Sequence, residues 1–167
     1  IDLYTDYGLP AATTEGKVNG ATHWNSCVLA QRRASTMVAQ DPAVAEDMRK
    51  AGFGAAVTFP PGGIFRGTGA LVLLDRKRPN QFILAEDVAQ AMSLWYRDGR
   101  QYPVSLMGAV ALIRQTLLDT QWYEEAWTKF RQAGPGQAAP ETNPALAALC
   151  PCVRKDRPVV MQVADEL

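Results

Sequence analysis

Gly54-Ala-Ala-Val-Thr-Phe-Pro-Pro-Gly-Gly63 is the stretch on which the fold reading turns. The apolar run from Gly54 to Phe59 shows little polar alternation and is closed by Pro60-Pro61-Gly62-Gly63. Such a run is the pattern of a strand covered on both faces, which points to a parallel sheet under helices. Just upstream, Asp41-Pro42 supplies an N-cap followed by proline at the first helical position. Val44, Met48 and Ala51 then repeat at helical spacing, and Gly52 is the stop. Downstream, Ala70 to Leu74 reads as a second apolar strand and Arg76 to Asn80 as an exposed turn.

Further along, Ala85 to Tyr96 carries Val88, Met92 and Trp95 at helical spacing behind an acidic Glu86-Asp87 first turn. Ser105 to Gln132 predicts a long helix with Leu106, Val110, Ile113, Leu117 and Leu118 as its apolar stripe. Ser105 caps it and Gly134-Pro135-Gly136 terminates it. A short helix from Pro144 to Leu149 follows. Residues 9–35 are polar and turn-rich and read as a long loop. Strands begin and end the sequence, at Ile1 to Asp6 and Pro158 to Ala164. The spacing predicts strands near 1–6, 54–59 and 158–163 parallel in one sheet, with the 105–132 helix across it. The expected fold class is α/β, a parallel sheet flanked by helices, either a three-layer sandwich or part of a (β/α) barrel. Because a fraying terminus seldom holds a core strand, both ends read as cut from a longer chain.

The composition bounds the function. The 167 residues suit one domain, and 17 basic against 17 acidic side chains give a net charge of zero. That balance argues against a nucleic-acid or anionic-membrane footprint. No apolar run approaches the roughly 20 residues of a membrane helix, and no basic-then-apolar leader opens the sequence. Cys150 and Cys152 flank Pro151, too close for an unstrained mutual bridge, and Cys27 leaves an odd thiol. A tetrahedral metal site wants about four N or S ligands, and His23 is the single histidine. The Cys-x-Cys pair therefore reads as two half-buried side chains at the end of a short helix.

Three places merit a chemical reading. The glycine-rich Pro60 to Gly69 stretch follows a strand, where backbone amides could cradle an anion and Arg66 and Thr68 could touch a ligand. It lacks the Gly-Lys-Ser/Thr of a P-loop, and a structural turn needing positive φ is the plainer account. His23 and Cys27 lie four residues apart without an identifiable orienting acid, a weak nucleophile–base pair. Arg114 and Asp119 read as structural, and Gln121-Trp-Tyr-Glu-Glu-Ala-Trp127 as core and rim.

Longer stretches carry a family likeness. Ile1-Asp-Leu-Tyr-Thr-Asp-Tyr-Gly8 resembles the first barrel strand of metal-dependent amidohydrolases, which reads Ile-Asp-x-His-x-His-x-Gly. Gly63-Ile-Phe-Arg-Gly-Thr-Gly-Ala70, Tyr102-Pro-Val-Ser-Leu-Met-Gly-Ala-Val-Ala-Leu-Ile-Arg-Gln-Thr-Leu-Leu-Asp119 and Gln121-Trp-Tyr123 are similar to stretches of imidazolonepropionase-like amidohydrolases. The resemblance runs across nearly all of the sequence. It implies a (β/α) barrel in which a divalent metal such as zinc activates a hydroxide that attacks an amide or ring C–N bond. It also implies that Tyr4 and Asp6 stand where the family has its two metal-binding histidines. The family's later ligands, a carboxylated lysine or glutamate, two histidines and an aspartate, would lie beyond Leu167.

The resemblance leaves this segment with no assigned catalytic residue, metal ligand or cofactor of its own. It is expected as one α/β domain, residues 1–167, within a longer amidohydrolase-like chain. Three readings stay open: a piece of an active hydrolase, a non-catalytic degenerate scaffold, and a small flavodoxin-like ligand-binding domain. The expected partners are the remainder of the parent chain and further copies of itself, with neither nucleic acid nor membrane. Export signals in related proteins imply a bacterial periplasmic origin.

Overall fold

The computed structural model describes residues 1–11, 23–75, 82–94, 96, 101–133 and 136–163. In chain order the elements are β1 (Asp2–Thr5), α1 (Ala34–Met37), α2 (Pro42–Lys50), β2 (Ala55–Thr58), β3 (Phe65–Thr68) and β4 (Ala70–Leu73). β5 (Ile83–Ala85), β6 (Gln90–Ser93), α3 (Leu106–Gln132), α4 (Pro144–Val153) and β7 (Val159–Gln162) follow. The class is α/β. The strands form two small mixed sheets, ordered β1-β2-β4-β5 and β3-β6-β7, and among the described residues they close no barrel. No helix among those residues is long and apolar enough to cross a membrane.

This corrects the expectation of one parallel sheet. β1 and β2 do pair in parallel, with Asp2 opposite Ala56 and Thr5 opposite Thr58. β7 instead lies in the second sheet, parallel to β6. β2 meets β4 antiparallel, because no crossover helix lies between them and a parallel return needs a long one. The chain changes sheets at Gly69, the one residue between β3 and β4. A Cβ there would sit 2.3 Å from the Phe59 ring, so only glycine lets the switch pass this close.

The expected 85–96 helix is absent; β5, a turn and β6 occupy its described part. Asp87 has φ +52°, which breaks a right-handed helix, and Gln90 to Ser93 are buried throughout between β3 and β7. A central strand covered on both faces loses its alternation, and Val88 and Met92 mimicked helical spacing by coincidence. Trp95 of that stripe lies outside the described residues, as do the 76–80 turn and Gly134-Pro135.

The other helices form for legible reasons. Asp41 accepts from the backbone N–H groups of Ala43 and Val44 at 3.0 and 3.2 Å, and Gly52 ends α2 at φ +95°. Ser105 caps α3 through the Gly108 N–H, and Asn143 caps α4 ahead of Pro144. α4 runs past the expected Leu149, so Cys150 and Cys152 lie within its final turns, neither in a disulfide. The buried row of α3 is Ala109, Leu112, Thr116, Thr120 and Tyr123; of the expected stripe, Ile113 and Leu117 are partly buried against the same core. Leu106, Val110 and Leu118 are about half exposed. The helix seats small and polar side chains at the correct three-and-four spacing, which lets it approach closely.

The core falls into three parts. α3 and α4 cover β3 and β6 through Ile64, Phe65, Met92, Leu112 and Leu149. Tyr7, Ala45, Ala56, Val72 and Leu74 pack with the region of α1 and α2. Between the sheets lie Phe59, Ala89 and Ala91, against Tyr4, Val57 and Val160. The expected 9–35 loop is partly structured: residues 27–33 run beside β3, with bridges at Val28–Phe65 and Arg33–Thr68, and α1 follows.

That passage depends on Gly67, whose φ is +116° and whose hypothetical Cβ would lie 2.4 Å from the Arg32 carbonyl oxygen. Gly52 has φ +95° with open space around it. Gly52→Ala is expected to cost about 1 kcal/mol of backbone strain, and Gly67→Ala about 3 kcal/mol, because strain and collision add. Urea midpoints of the two variants check this; equal losses would show that the Arg32 contact is not limiting.

Candidate functional site

Ligands of α/β folds gather at the carboxyl ends of strands, and the structure brings two such ends together. Tyr4, next to the end of β1, and Gln162, the last residue of β7, belong to different sheets. The Tyr4 hydroxyl donates to the Gln162 Oε1 at 3.2 Å and accepts from the Arg66 guanidinium at 2.6 Å. Arg66 comes from β3, and its Nε–H also reaches the Gly63 carbonyl at 3.4 Å. Phe59 stacks behind the Tyr4 ring with centroids 5.2 Å apart. One phenol thus ties both sheets together across an apolar floor.

The sequence candidates separate here. Tyr4 and Arg66 meet directly. Asp6 is exposed in the turn after β1, where its carbonyl accepts the Leu9 N–H at 3.0 Å. Thr68 donates its hydroxyl to Asp87 rather than sharing a ligand site with Arg66. Gln162 is the member that sequence reasoning missed. A glutamine in a terminal strand carries no motif, and only the convergence of the two sheets gives it a role.

Asp87 is the centre of a second polar cluster. Arg33 bonds it at 2.9 Å and Glu86 at 2.7 Å, and Arg157 approaches at 3.9 Å. Burial pushes the Asp87 carboxyl up, but the hydrogen bonds from Thr68 and Arg33 outweigh it and hold the group below its ordinary value. These contacts join residues 33, 68, 87 and 157, so the cluster fastens loops together.

His23 is a buried turn element. Its Nδ1 accepts the Asn25 backbone N–H at 3.1 Å, and Asn25 in turn accepts from the Cys27 N–H at 2.9 Å. Burial lowers the imidazole pKa, favouring the neutral form. Cys27 is buried in the core beside Val28 and Ile64. Arg114 is exposed on α3, and Asp119 accepts from Gln115 at 2.7 Å. Tyr123, Trp127 and Phe130 form a ring series with centroid distances of 6.1 and 5.7 Å. A shallow groove of about 730 Å³ between α3 and α4 is open to solvent and spanned by the Arg154–Glu124 pair, away from the strand ends.

The donor set can be tested against a divalent ion. Among the described residues no three His, Cys, Asp or Glu side chains come together as a metal group. An ion bound to the Tyr4 oxygen at about 2 Å would lie within roughly 5 Å of the Arg66 nitrogen. Two charges against one at that distance repel by about 7 kcal/mol at an effective dielectric constant near 20. Tyr4 and Arg66 as arranged do not fit a metal.

No protein-family model matches the chain, and no curated protein matches it. Among solved structures it is similar to an amidohydrolase from Thermotoga maritima MSB8, with a TM-score of 0.72 at 19% identity. The likeness covers 96% of this chain and 43% of that one. The chain therefore has an amidohydrolase-like fold and spans less than half the length of that protein.

The Asp87 cluster carries a pH signature. With a folded pKa below the unfolded one, the carboxylate stabilises the fold above the ordinary carboxylate range and loses that contribution as pH falls through the folded value. Asp87→Asn is expected to cost roughly 1–2 kcal/mol near neutrality and to flatten the acid limb. Urea unfolding from pH 7 down to pH 3 measures both; an unchanged acid limb would remove Asp87 from that role.

Proposed function

We propose that this chain is part of an imidazolonepropionase-like amidohydrolase barrel in which the first-strand metal position has been given up. On this reading it is a non-catalytic scaffold domain of a longer protein, related to enzymes that hydrolyse non-peptide C–N bonds such as those of cyclic amides. The observation that carries the reading is the 2.6 Å contact of Arg66 with Tyr4. Tyr4 stands at a resembled histidine position, and a guanidinium supplies positive charge where active relatives hold a divalent ion. Two small mixed sheets do not suit the flavodoxin-like alternative, which needs a single parallel sheet.

The scaffold reading also accounts for the open edges. β1 pairs only with β2, and β7 only with β6, among the described strands. Leu3 is 72% exposed, and Val159 and Met161 are each 45% exposed. Unpaired edges with apolar side chains are templates for further strands, from the remainder of a parent chain or from a second copy. Light scattering of the 167-residue chain is expected to give a mass above that of one copy. A monodisperse monomer at high concentration would remove this part of the proposal.

Zinc analysis after dialysis, with assay of cyclic-amide hydrolysis in added zinc, tests the scaffold role. Substoichiometric zinc and no turnover are expected. Stoichiometric zinc, or turnover that disappears on Asp6→Asn, would return the segment to the active hydrolases.

A further inference from the structure

We propose that the Tyr4–Arg66–Gln162 cluster binds a monocarboxylate, with Arg66 as its charge partner. The inference rests on the reading that no divalent ion sits there, and it follows from an inventory of donors. A guanidinium carries five N–H groups. One reaches the Tyr4 oxygen, and the Nε–H reaches Gly63 at a long 3.4 Å. Three remain.

The Tyr4 proton goes to Gln162 Oε1, which fixes the amide so that its Nε2 is a further donor. No acidic side chain among the described residues pairs with Arg66, whose partners are the neutral Tyr4 hydroxyl and Gly63 carbonyl. The cluster therefore presents spare donors and one uncompensated positive charge. That is the complement of an anion.

The type of anion follows from shape and charge. A planar guanidinium fork matches the two oxygens of a carboxylate. One guanidinium and a neutral amide balance a single negative charge, so a dianion such as phosphate keeps an unbalanced charge. Phe59, Ala89, Ala91 and Val160 lie behind the Tyr4 ring, and this apolar floor strengthens the charge pairing above it. The position at the converging carboxyl ends of β1 and β7 is where an α/β fold admits a ligand.

The test is a titration of the 167-residue chain with sodium acetate in EDTA, followed through the Arg66 Nε–H signal by nitrogen-15 NMR. Sodium chloride at matched ionic strength and inorganic phosphate serve as comparisons. A saturable shift with acetate is expected, with a midpoint on the order of 1–10 mM, and weaker effects from chloride and phosphate. Arg66→Lys keeps the charge and loses the fork, so acetate binding should weaken about tenfold. Tyr4→Phe removes the brace on Arg66 and should also weaken it; this variant carries the test if the lysine variant fails to fold.

A shift equal to that with chloride, tighter phosphate binding, or acetate binding unaltered in the folded variants would overturn the proposal. Failure of the metal-free reading is a different result, stoichiometric zinc uptake when EDTA is omitted. Lack of acetate binding in EDTA counts against the carboxylate alone.

Discussion

Residues 27–33 pass close along β3, and that contact fixes which way β3 faces. The Cys27 carbonyl accepts from the backbone N–H groups of Ile64 and Phe65, the Leu29 N–H donates to Phe65, and the Arg32 carbonyl accepts from Thr68. This makes β3 an inner strand, with β6 on its other side. Gly63 and Gly67 permit the approach, because a Cβ at either would lie 2.9 Å or less from a carbonyl oxygen of the neighbouring segment. An inner strand cannot turn over. Arg66 is therefore held toward Tyr4, and Thr68 toward Asp87.

Two polar clusters then divide the work. The Asp87 cluster is satisfied: its carboxylate has two arginines and a hydroxyl around it, and its effect is to hold loops. The Tyr4 cluster is unsatisfied in charge, with an arginine bound only by neutral groups. Saturated ion pairs build frameworks, whereas a residual charge beside an apolar floor has something left to bind. The difference is one carboxylate, present in one cluster and missing from the other.

Local signals in the sequence were legible where local chemistry decides. Asp41-Pro42, Gly52, Ser105 and the 54–59 and 70–74 runs all mark elements that form at or near their expected bounds. Strand partners were not legible, since β7 chooses β6 over β2 through contacts distant in sequence. The buried face of α3 was obscured because the helix buries Ala109, Thr116 and Thr120 while exposing larger apolar residues. β3 was hidden inside a glycine-rich stretch, where the glycines serve close approach rather than flexibility. At the site, Tyr4 and Arg66 were each visible as candidates. Their meeting, and the part of Gln162, required two sheets to converge.

The cysteines of α4 have a consequence for redox chemistry. Burial raises the thiol pKa of both Cys150 and Cys152, so neither holds much thiolate at neutral pH. Residues two apart on a helix face different directions, which keeps the sulfurs from bridging. Thiolate is the species that attacks disulfides and oxidants. Burial thus works against exchange at either sulfur, and the Cys150 Sγ–H also donates to the Leu146 carbonyl at 3.4 Å.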